Sequence, residues 1–135
     1  MKNINIIYLF ILFTIISCNT KSKIVSGIDY NIVKIDSIKN VYLIYAEKKD
    51  ASIKNSALIK IASIKTEKKC NKQKVIIANR IYRLNLQSLY PKNFVSNHYL
   101  GGITFNSIFI PFDKEYNIKK DLFVTDDIEG VCYLK

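Results

Sequence analysis

Alternation of apolar and polar residues with a period of two is clearest in the middle of the chain. Apolar residues alternate with polar ones over the run Tyr82, Arg83, Leu84, Asn85, Leu86 and Gln87. This pattern places every second side chain on the same face, as in a half-buried β-strand. Residues 30–36 alternate less strictly and predict a second strand.

Other runs are apolar without strict alternation. Residues 41–46 read Val-Tyr-Leu-Ile-Tyr-Ala, which is typical of a strand covered on both faces. Residues 103–110 predict either one strand or a tight hairpin, because the alternation changes phase at Asn106-Ser107. Three shorter runs complete the set of predicted strands: 75–78, 122–125 and 131–134.

The segment 50–65 allows two interpretations. Ile53, Ala57, Ile61 and Ile64 would share one helical stripe, with Asp50 as a cap. Residues 59–61 also alternate as Ile-Lys-Ile, and β-branched residues favour a strand. We favour a strand over 58–64.

Polar stretches separate these runs at 37–40, 66–74, 91–102 and 112–120. Short strands with a turn signal every ten or so residues are typical of small all-β domains. The pattern therefore predicts an all-β chain, a single small antiparallel sandwich or partly open barrel, with room for one short helix.

The N-terminus has a different pattern. Lys2 supplies a positive charge, and a run from Ile4 to Ile16 follows that is apolar except for Asn5 and Thr14. A membrane-spanning helix needs roughly 20 apolar residues, so the run is too short for one. Its length, with the small residue Ser17 after it, is typical of a secretory signal peptide.

Residues Ile15-Ile16-Ser17-Cys18 resemble the lipobox of bacterial lipoprotein precursors. The resemblance covers the first 18 residues. It implies that Cys18 is lipidated on its thiol and that cleavage before it removes residues 1–17. Two or three acyl chains hold a protein stably on a membrane, whereas one chain binds reversibly.

The resemblance divides the chain into a signal peptide (1–17), a lipidated Cys18 with a polar tether (18–23) and one mostly β domain (24–135). It implies an exported protein anchored at the bacterial cell envelope. In bacteria with two membranes, Asp directly after the lipidated Cys favours retention at the inner membrane. Asn19 stands there instead, so we favour the outer membrane.

Composition narrows the class of protein. The chain has 135 residues, 49% of them hydrophobic, and a formal net charge of +10. This apolar content excludes a disordered chain, and the length favours one domain. The lysines are spread along the chain, which is typical of a solvated basic surface rather than of a dense site for acidic partners.

Three cysteines are too few for a disulfide-dense miniprotein. With Cys18 lipidated, Cys70 and Cys132 remain as a pair in an oxidising compartment. They predict a structural disulfide between the middle of the domain and its last strand. The alternative is two buried, unpaired thiols. No zinc-ligand spacing is present in the sequence.

Candidate catalytic groups are few. His98 is the sole histidine and lies in the polar run Ser96-Asn97-His98-Tyr99, where a solvated role is the simplest interpretation. Asp126, Asp127 and Glu129 precede Gly130 without the spacing of a Ca²⁺ loop, and we expect a solvated turn or a short helix ending at Gly130. Gly101-Gly102 suggests a turn that needs backbone freedom.

Aromatic residues gather around the long loop 91–102, where a stacking surface could form. The candidate binding residues are Tyr90, Lys92, Phe94, His98 and Tyr99, with Phe105 beside them. The alternative is that these aromatics close the open end of a small barrel.

The sequence therefore predicts a membrane-anchored envelope lipoprotein with a small binding or structural domain, and no catalytic residues, metal or cofactor. Its expected contacts are the membrane, through the acyl chains on Cys18, and an envelope protein or glycan, but not nucleic acid. One alternative is a small envelope hydrolase that uses His98 or the carboxylates at 126–129. Another is a basic adhesin for anionic surfaces.

Overall fold

The computed structural model describes residues 26–50, 56–90 and 101–135. Cys18, the tether and residues 91–100 lie outside these ranges. The described residues form ten strands and a short 3-10 helix at Lys72–Lys74. The strands are β1 (Ile28–Ile38), β2 (Val41–Lys48), β3 (Ile59–Ile64), β4 (Ile81–Leu84), β5 (Gln87–Ser88), β6 (Gly102–Phe105), β7 (Ile108–Pro111), β8 (Phe123–Val124), β9 (Ile128–Glu129) and β10 (Cys132–Tyr133).

Six strands form one curled sheet in the order β4-β1-β2-β3-β8-β5. Two small antiparallel sheets, β6-β7 and β9-β10, accompany it. The predicted all-β, partly open barrel is confirmed. The prediction of an antiparallel sheet is wrong at one pair, because β3 and β8 run parallel.

The strand β1 contains a bulge that explains its irregular alternation. Ile32 pairs with Ala46 and Lys34 pairs with Tyr45, so Val33 is an extra residue. A bulge shifts the phase of the side chains and bends the strand. Ile32 and Ile35 therefore reach the same face of the sheet although they are three residues apart.

Each face of the sheet is covered by its own apolar cluster. The first cluster includes Ile32, Ile44, Ile61, Ile76 and Ile128. The second lies on the opposite face, where Leu43, Tyr45 and Ala62 pack against the β6–β7 hairpin and against Ile118 and Leu122. A strand such as β2 is therefore buried on both faces, as its continuous apolar run predicts.

The ambiguous segment 50–65 is a strand where the structure describes it. Residues Ile59–Ile64 form β3 and pair antiparallel with β2, and Leu58 makes an isolated bridge with Ile118. This confirms the strand rather than the helix over 58–64.

Residues 103–110 belong to a hairpin and not to one strand. The phase change at Asn106-Ser107 is a two-residue turn in which both residues have positive φ, 48° and 62°. Such turns match the right-handed twist of the strands that they join.

Gly102 in this hairpin packs closely against the facing strand, because a Cβ there would lie 2.3 Å from the carbonyl oxygen of Ile110. Neither Gly101 nor Gly102 has a positive φ, so the predicted need for backbone freedom is wrong. Glycine is required at 102 because the facing strand lies too close for a side chain.

Some short elements differ from the prediction. Of residues 75–78, only Val75 makes a bridge, with Cys132, and the expected strand is absent there. The predicted strand at 82–86 ends at Leu84, although Leu86 still packs against the first cluster. The two-residue strands β5 and β9 were not predicted.

Candidate functional site

A polar floor lies where β1 and β2 pair beside the bulge. Asn31 faces Glu47 across the two strands, and its Nδ2 donates a hydrogen bond to Glu47 Oε1 at 2.9 Å. The bulge follows directly, and bulges commonly redirect side chains next to binding sites. An amide and a carboxylate are thus fixed at the sheet surface.

One wall of the site is the turn at Asn79. Its backbone N–H donates to the carbonyl oxygen of Ile32 at 2.7 Å, and the N–H of Ile32 donates to Arg80 O at 2.9 Å. Asn79 has φ of 63°, a left-handed conformation that Asn tolerates better than most residues. These bonds hold the Asn79 side chain beside the bulged part of β1.

The opposite wall is the segment that carries Tyr116 and Asn117. Leu58 N–H donates to Asn117 O at 2.7 Å, and Lys119 N–H donates to Leu58 O at 2.7 Å. The next side chain, Ile118, is buried in the second apolar cluster. The backbone is therefore anchored directly after Tyr116, while the Tyr116 side chain is fully exposed.

These walls enclose an open groove of about 560 Å³. We call it the amide groove and define it by Asn31, Glu47, Asn79, Tyr116 and Asn117. Ser56, Ala57, Leu58 and Val33 complete its described lining, in which Glu47 is the one charged residue. The groove thus offers amide donors and acceptors, one carboxylate and one exposed aromatic ring.

A second groove of about 480 Å³ lies along residues 112–120. It also contacts Tyr116, so this ring is shared by both grooves. Its lining is charged and includes Asp113, Lys114, Glu115 and Lys119. The ring therefore separates a nearly uncharged groove from a charged one.

A buried ion pair fixes the segment that leads to Tyr116. The Lys60 side chain is only 4% exposed; its ammonium pairs with Asp113 Oδ2 and donates to Pro111 O at 2.9 Å. Tyr45 OH donates to Asp113 Oδ1 at 3.2 Å. Burial and then the neighbouring Asp113 carboxylate raise the pKa of Tyr45, so its phenol stays protonated and acts as the donor.

Of the predicted aromatic surface, the structure describes Tyr90 and the neighbouring Phe105. Tyr90 is exposed near the end of the described range 56–90 and does not line the amide groove. Lys92, Phe94, His98 and Tyr99 lie outside the described residues, so their role stays a prediction. Phe105 is half-buried against the second apolar cluster, which agrees with the alternative of a packing role.

The carboxylates at 126–129 are not one solvated cluster. Asp126 is exposed, but Asp127 is buried and pairs with Lys135 at 2.9 Å. Asp127 Oδ2 also accepts the Asn85 N–H at 2.6 Å, while Glu129 pairs with Lys68 at 2.8 Å. Residues 126–127 form a turn, as one of the two expectations had it, but only Asp126 is exposed. The alternative of a short helix is wrong, because Gly130 lies in the turn of the β9–β10 hairpin with φ of 62°.

The pKa of Asp127 reflects this environment. Burial opposes ionisation, but the hydrogen bonds from Lys135 and from the Asn85 backbone outweigh it and lower the pKa below its usual value. The carboxylate is therefore ionised at neutral pH, and both of its oxygens are engaged in holding the hairpin.

Cys70 and Cys132 form the predicted disulfide, with a Cα–Cα distance of 5.5 Å. The distance is in the normal range for this bond. The bridge joins the loop after β3 to the final strand β10.

Sequence reasoning missed the amide groove. Tyr116 was the one available signal, as a single aromatic residue in the polar stretch 112–120. Asn31 and Asn79 carried no signal, because their proximity depends on the bulge and on the turn that pairs with it.

The described residues contain no group of three metal-ligating side chains. They also contain no helix long and apolar enough to cross a membrane. Comparison of the chain with protein-family models, with curated proteins and with solved structures gives no match.

Proposed function

We propose that this protein is an exported lipoprotein, anchored to the envelope through Cys18, whose β domain binds a neutral saccharide in the amide groove. The anchor is supported by the lipobox-like residues 15–18 and by the disulfide, since disulfides persist in oxidising compartments outside the cytosol.

The binding role rests on one observation: Tyr116 is fully exposed at the edge of a groove lined by amides. An exposed aromatic ring loses favourable burial unless a ligand covers it. The apolar face of a sugar ring can stack on Tyr116, while its hydroxyl groups exchange hydrogen bonds with Asn79 and Asn117. Among the described residues, the side chains of these two asparagines have no hydrogen-bond partner of their own.

The charge of the groove favours a saccharide over a protein segment. Protein hot spots are desolvated pockets that receive large apolar or Arg side chains. The amide groove instead mixes three asparagines and Ser56 with a single carboxylate. This composition suits a ligand rich in hydroxyl groups and without net charge.

The same lining supports binding without cleavage. Glycoside hydrolysis commonly uses two carboxylates that flank the bond to be broken. Glu47 is the one carboxylate in the described lining, and it already accepts a hydrogen bond from Asn31. Asp127 and Glu129, considered above for an enzyme, are held in ion pairs on the β9–β10 hairpin.

The test is saccharide binding by the purified protein, measured by calorimetry and by saturation-transfer NMR. The probes are an N-acetylglucosamine tetramer and maltotetraose. Tyr116→Ala should weaken binding at least about tenfold, the effect expected from losing one stacking contact. Tyr116→Phe keeps the ring and should retain most of the affinity.

Phe109→Ala is the matched control, because Phe109 is another exposed aromatic ring but lies on the β6–β7 hairpin. It should leave binding unchanged. The proposal is contradicted if neither saccharide binds, or if Tyr116→Ala binds as tightly as the native protein.

A further inference from the structure

The segment that follows β3 and includes the 3-10 helix carries a local excess of positive charge. Residues 65–74, here called the lysine segment, contain one acidic residue, Glu67, and five lysines: Lys65, Lys68, Lys69, Lys72 and Lys74. Lys68 pairs with Glu129 at 2.8 Å. The exposed side chains of Lys69, Lys72 and Lys74 have no ion pair with another described residue, so their charge faces solvent.

Several of the other exposed lysines have acidic neighbours. Lys48 pairs with Asp50, and Lys119 lies 4.0 Å from Asp121. Lys114 is followed directly by Glu115. Lys39 and Lys49 are also exposed without an ion pair to a described residue, but the lysine segment groups three such lysines within residues 69–74.

The fold holds the lysine segment on the β9–β10 hairpin. The disulfide joins Cys70 to Cys132, Val75 makes a bridge with Cys132, and the Ile76 N–H donates to Val131 O at 2.7 Å. The segment is thus attached to the last strand of the domain at several points.

The same hairpin leads to the start of the described domain. Lys135, three residues after Cys132, places its ammonium 3.5 Å from the carbonyl oxygen of Ser26. Asn85 Nδ2 also donates to Ser26 Oγ at 3.2 Å. Ser26, the first described residue, therefore lies close to the hairpin that carries the lysine segment.

We propose that the lysine segment binds the anionic phospholipid headgroups of the membrane that holds the acyl chains. This inference rests on the lipid anchor proposed above. The chain from Cys18 to Ser26 can extend to about 28 Å at most, so the anchor keeps this end of the domain near the bilayer.

Exposed ammonium groups are attracted to a negatively charged leaflet over a Debye length, about 10 Å at 0.1 M salt. The contact would orient the domain, with the lysine segment against the headgroups.

The experiment uses the acylated protein in vesicles, either phosphatidylcholine alone or phosphatidylcholine with phosphatidylglycerol. Lysine acetylation by a water-soluble reagent is followed by mass spectrometry. We expect Lys69, Lys72 and Lys74 to react about fivefold more slowly on the anionic vesicles. The difference should disappear in about 0.5 M NaCl, where exposed charges are screened.

Lys114 and Lys119 are the internal controls and should react at the same rate on both vesicles. Lys68 lies in the same segment, so we expect it to be protected on anionic vesicles as well. The triple variant Lys69→Gln, Lys72→Gln, Lys74→Gln should remove this protection of Lys68. The matched variant Lys114→Gln, Lys119→Gln should keep it.

Two outcomes separate this inference from the proposed function. Purified protein without acyl chains on Cys18 would contradict the anchor and, with it, this inference. Acylated protein whose lysine segment reacts equally on both vesicle types would contradict the headgroup contact alone. Equal protection of every lysine would also contradict it, because shielding would then not depend on this segment.

Discussion

At the scale of single residues, the buried Lys60 is the most demanding feature of the domain. Removing an ammonium and a carboxylate from water costs several kcal/mol per ion unless close pairing offsets it. Asp113 Oδ2 is buried and accepts no hydrogen bond from the described part of the chain, so the ion pair with Lys60 compensates its charge. The Lys60 ammonium also donates a hydrogen bond to Pro111 O, and Asp113 Oδ1 accepts one from Tyr45 OH.

The first prediction concerns this pair. Asp113→Leu should lower the free energy of unfolding by about 3 kcal/mol, because it leaves the Lys60 ammonium buried without a counterion. Adding Lys60→Met should restore part of the loss, since neither charge is then buried. Urea denaturation measures both variants. A double variant less stable than Asp113→Leu alone would contradict this explanation.

The sequence around Lys60 predicts the strand but not the burial. Alternation in Ile59-Lys60-Ile61 places Lys60 opposite the isoleucines, and on a half-buried sheet that side would face solvent. Here the β6–β7 hairpin and the segment after it cover the second face. Elements distant in sequence therefore bury the Lys60 side chain, although the alternation of residues 59–61 is that of a half-buried strand.

At the scale of elements, the packing of the β6–β7 hairpin requires glycine at position 102 but not at position 101. A Cβ on Gly102 would lie 2.3 Å from Ile110 O and 2.8 Å from Pro111 Cα, both backbone atoms of the facing strand. A Cβ on Gly101 would meet nothing within 4 Å. The observed distance between β6 and β7 at position 102 therefore leaves no room for a side chain there.

The second prediction follows from this difference. Gly102→Ala should destabilise the domain by about 1–3 kcal/mol, because the paired strands must move apart. Gly101→Ala is the matched control and should change stability by less than about 0.5 kcal/mol. Thermal or urea unfolding measures both. Equal effects of the two substitutions would show that close strand approach is not the cause.

The longer strands could be predicted because their signal is local. Residues 41–46 and 82–84 carry apolar runs or alternation within themselves, and the turn at Asn106-Ser107 is visible as a phase change. The strands β5 and β9, which were not predicted, have two residues each. The partner of β5 is β8, far along the chain, so no local pattern identifies it.

At the scale of the whole molecule, the disulfide connects the middle of the chain to its last strand. It spans 62 residues and holds both the lysine segment and the β9–β10 hairpin in place. Closing so long a loop removes much conformational freedom from the unfolded chain.

The third prediction is that the double variant Cys70→Ala, Cys132→Ala loses about 4 kcal/mol of stability, as the chain-entropy treatment of this loop gives. The native protein should approach the stability of the variant when a reductant is added. Urea denaturation with and without the reductant checks both statements. No difference between oxidised and reduced native protein would contradict the role of the bridge.

The amide groove shows why a site can escape sequence reasoning although the fold does not. Its residues come from β1, β2, the turn at Asn79 and the segment at Tyr116, which meet only after the sheet has formed. The disulfide, in contrast, could be predicted from the count of cysteines once Cys18 was assigned to lipidation.

The fourth prediction tests the central claim, that Cys18 anchors this domain to an envelope membrane. Cells expressing the native chain or Cys18→Ala are fed a fatty acid with a clickable group, and the purified protein is examined for label. The account predicts label in the native protein and none in Cys18→Ala. Absence of label from both, or equal label in both, would contradict it.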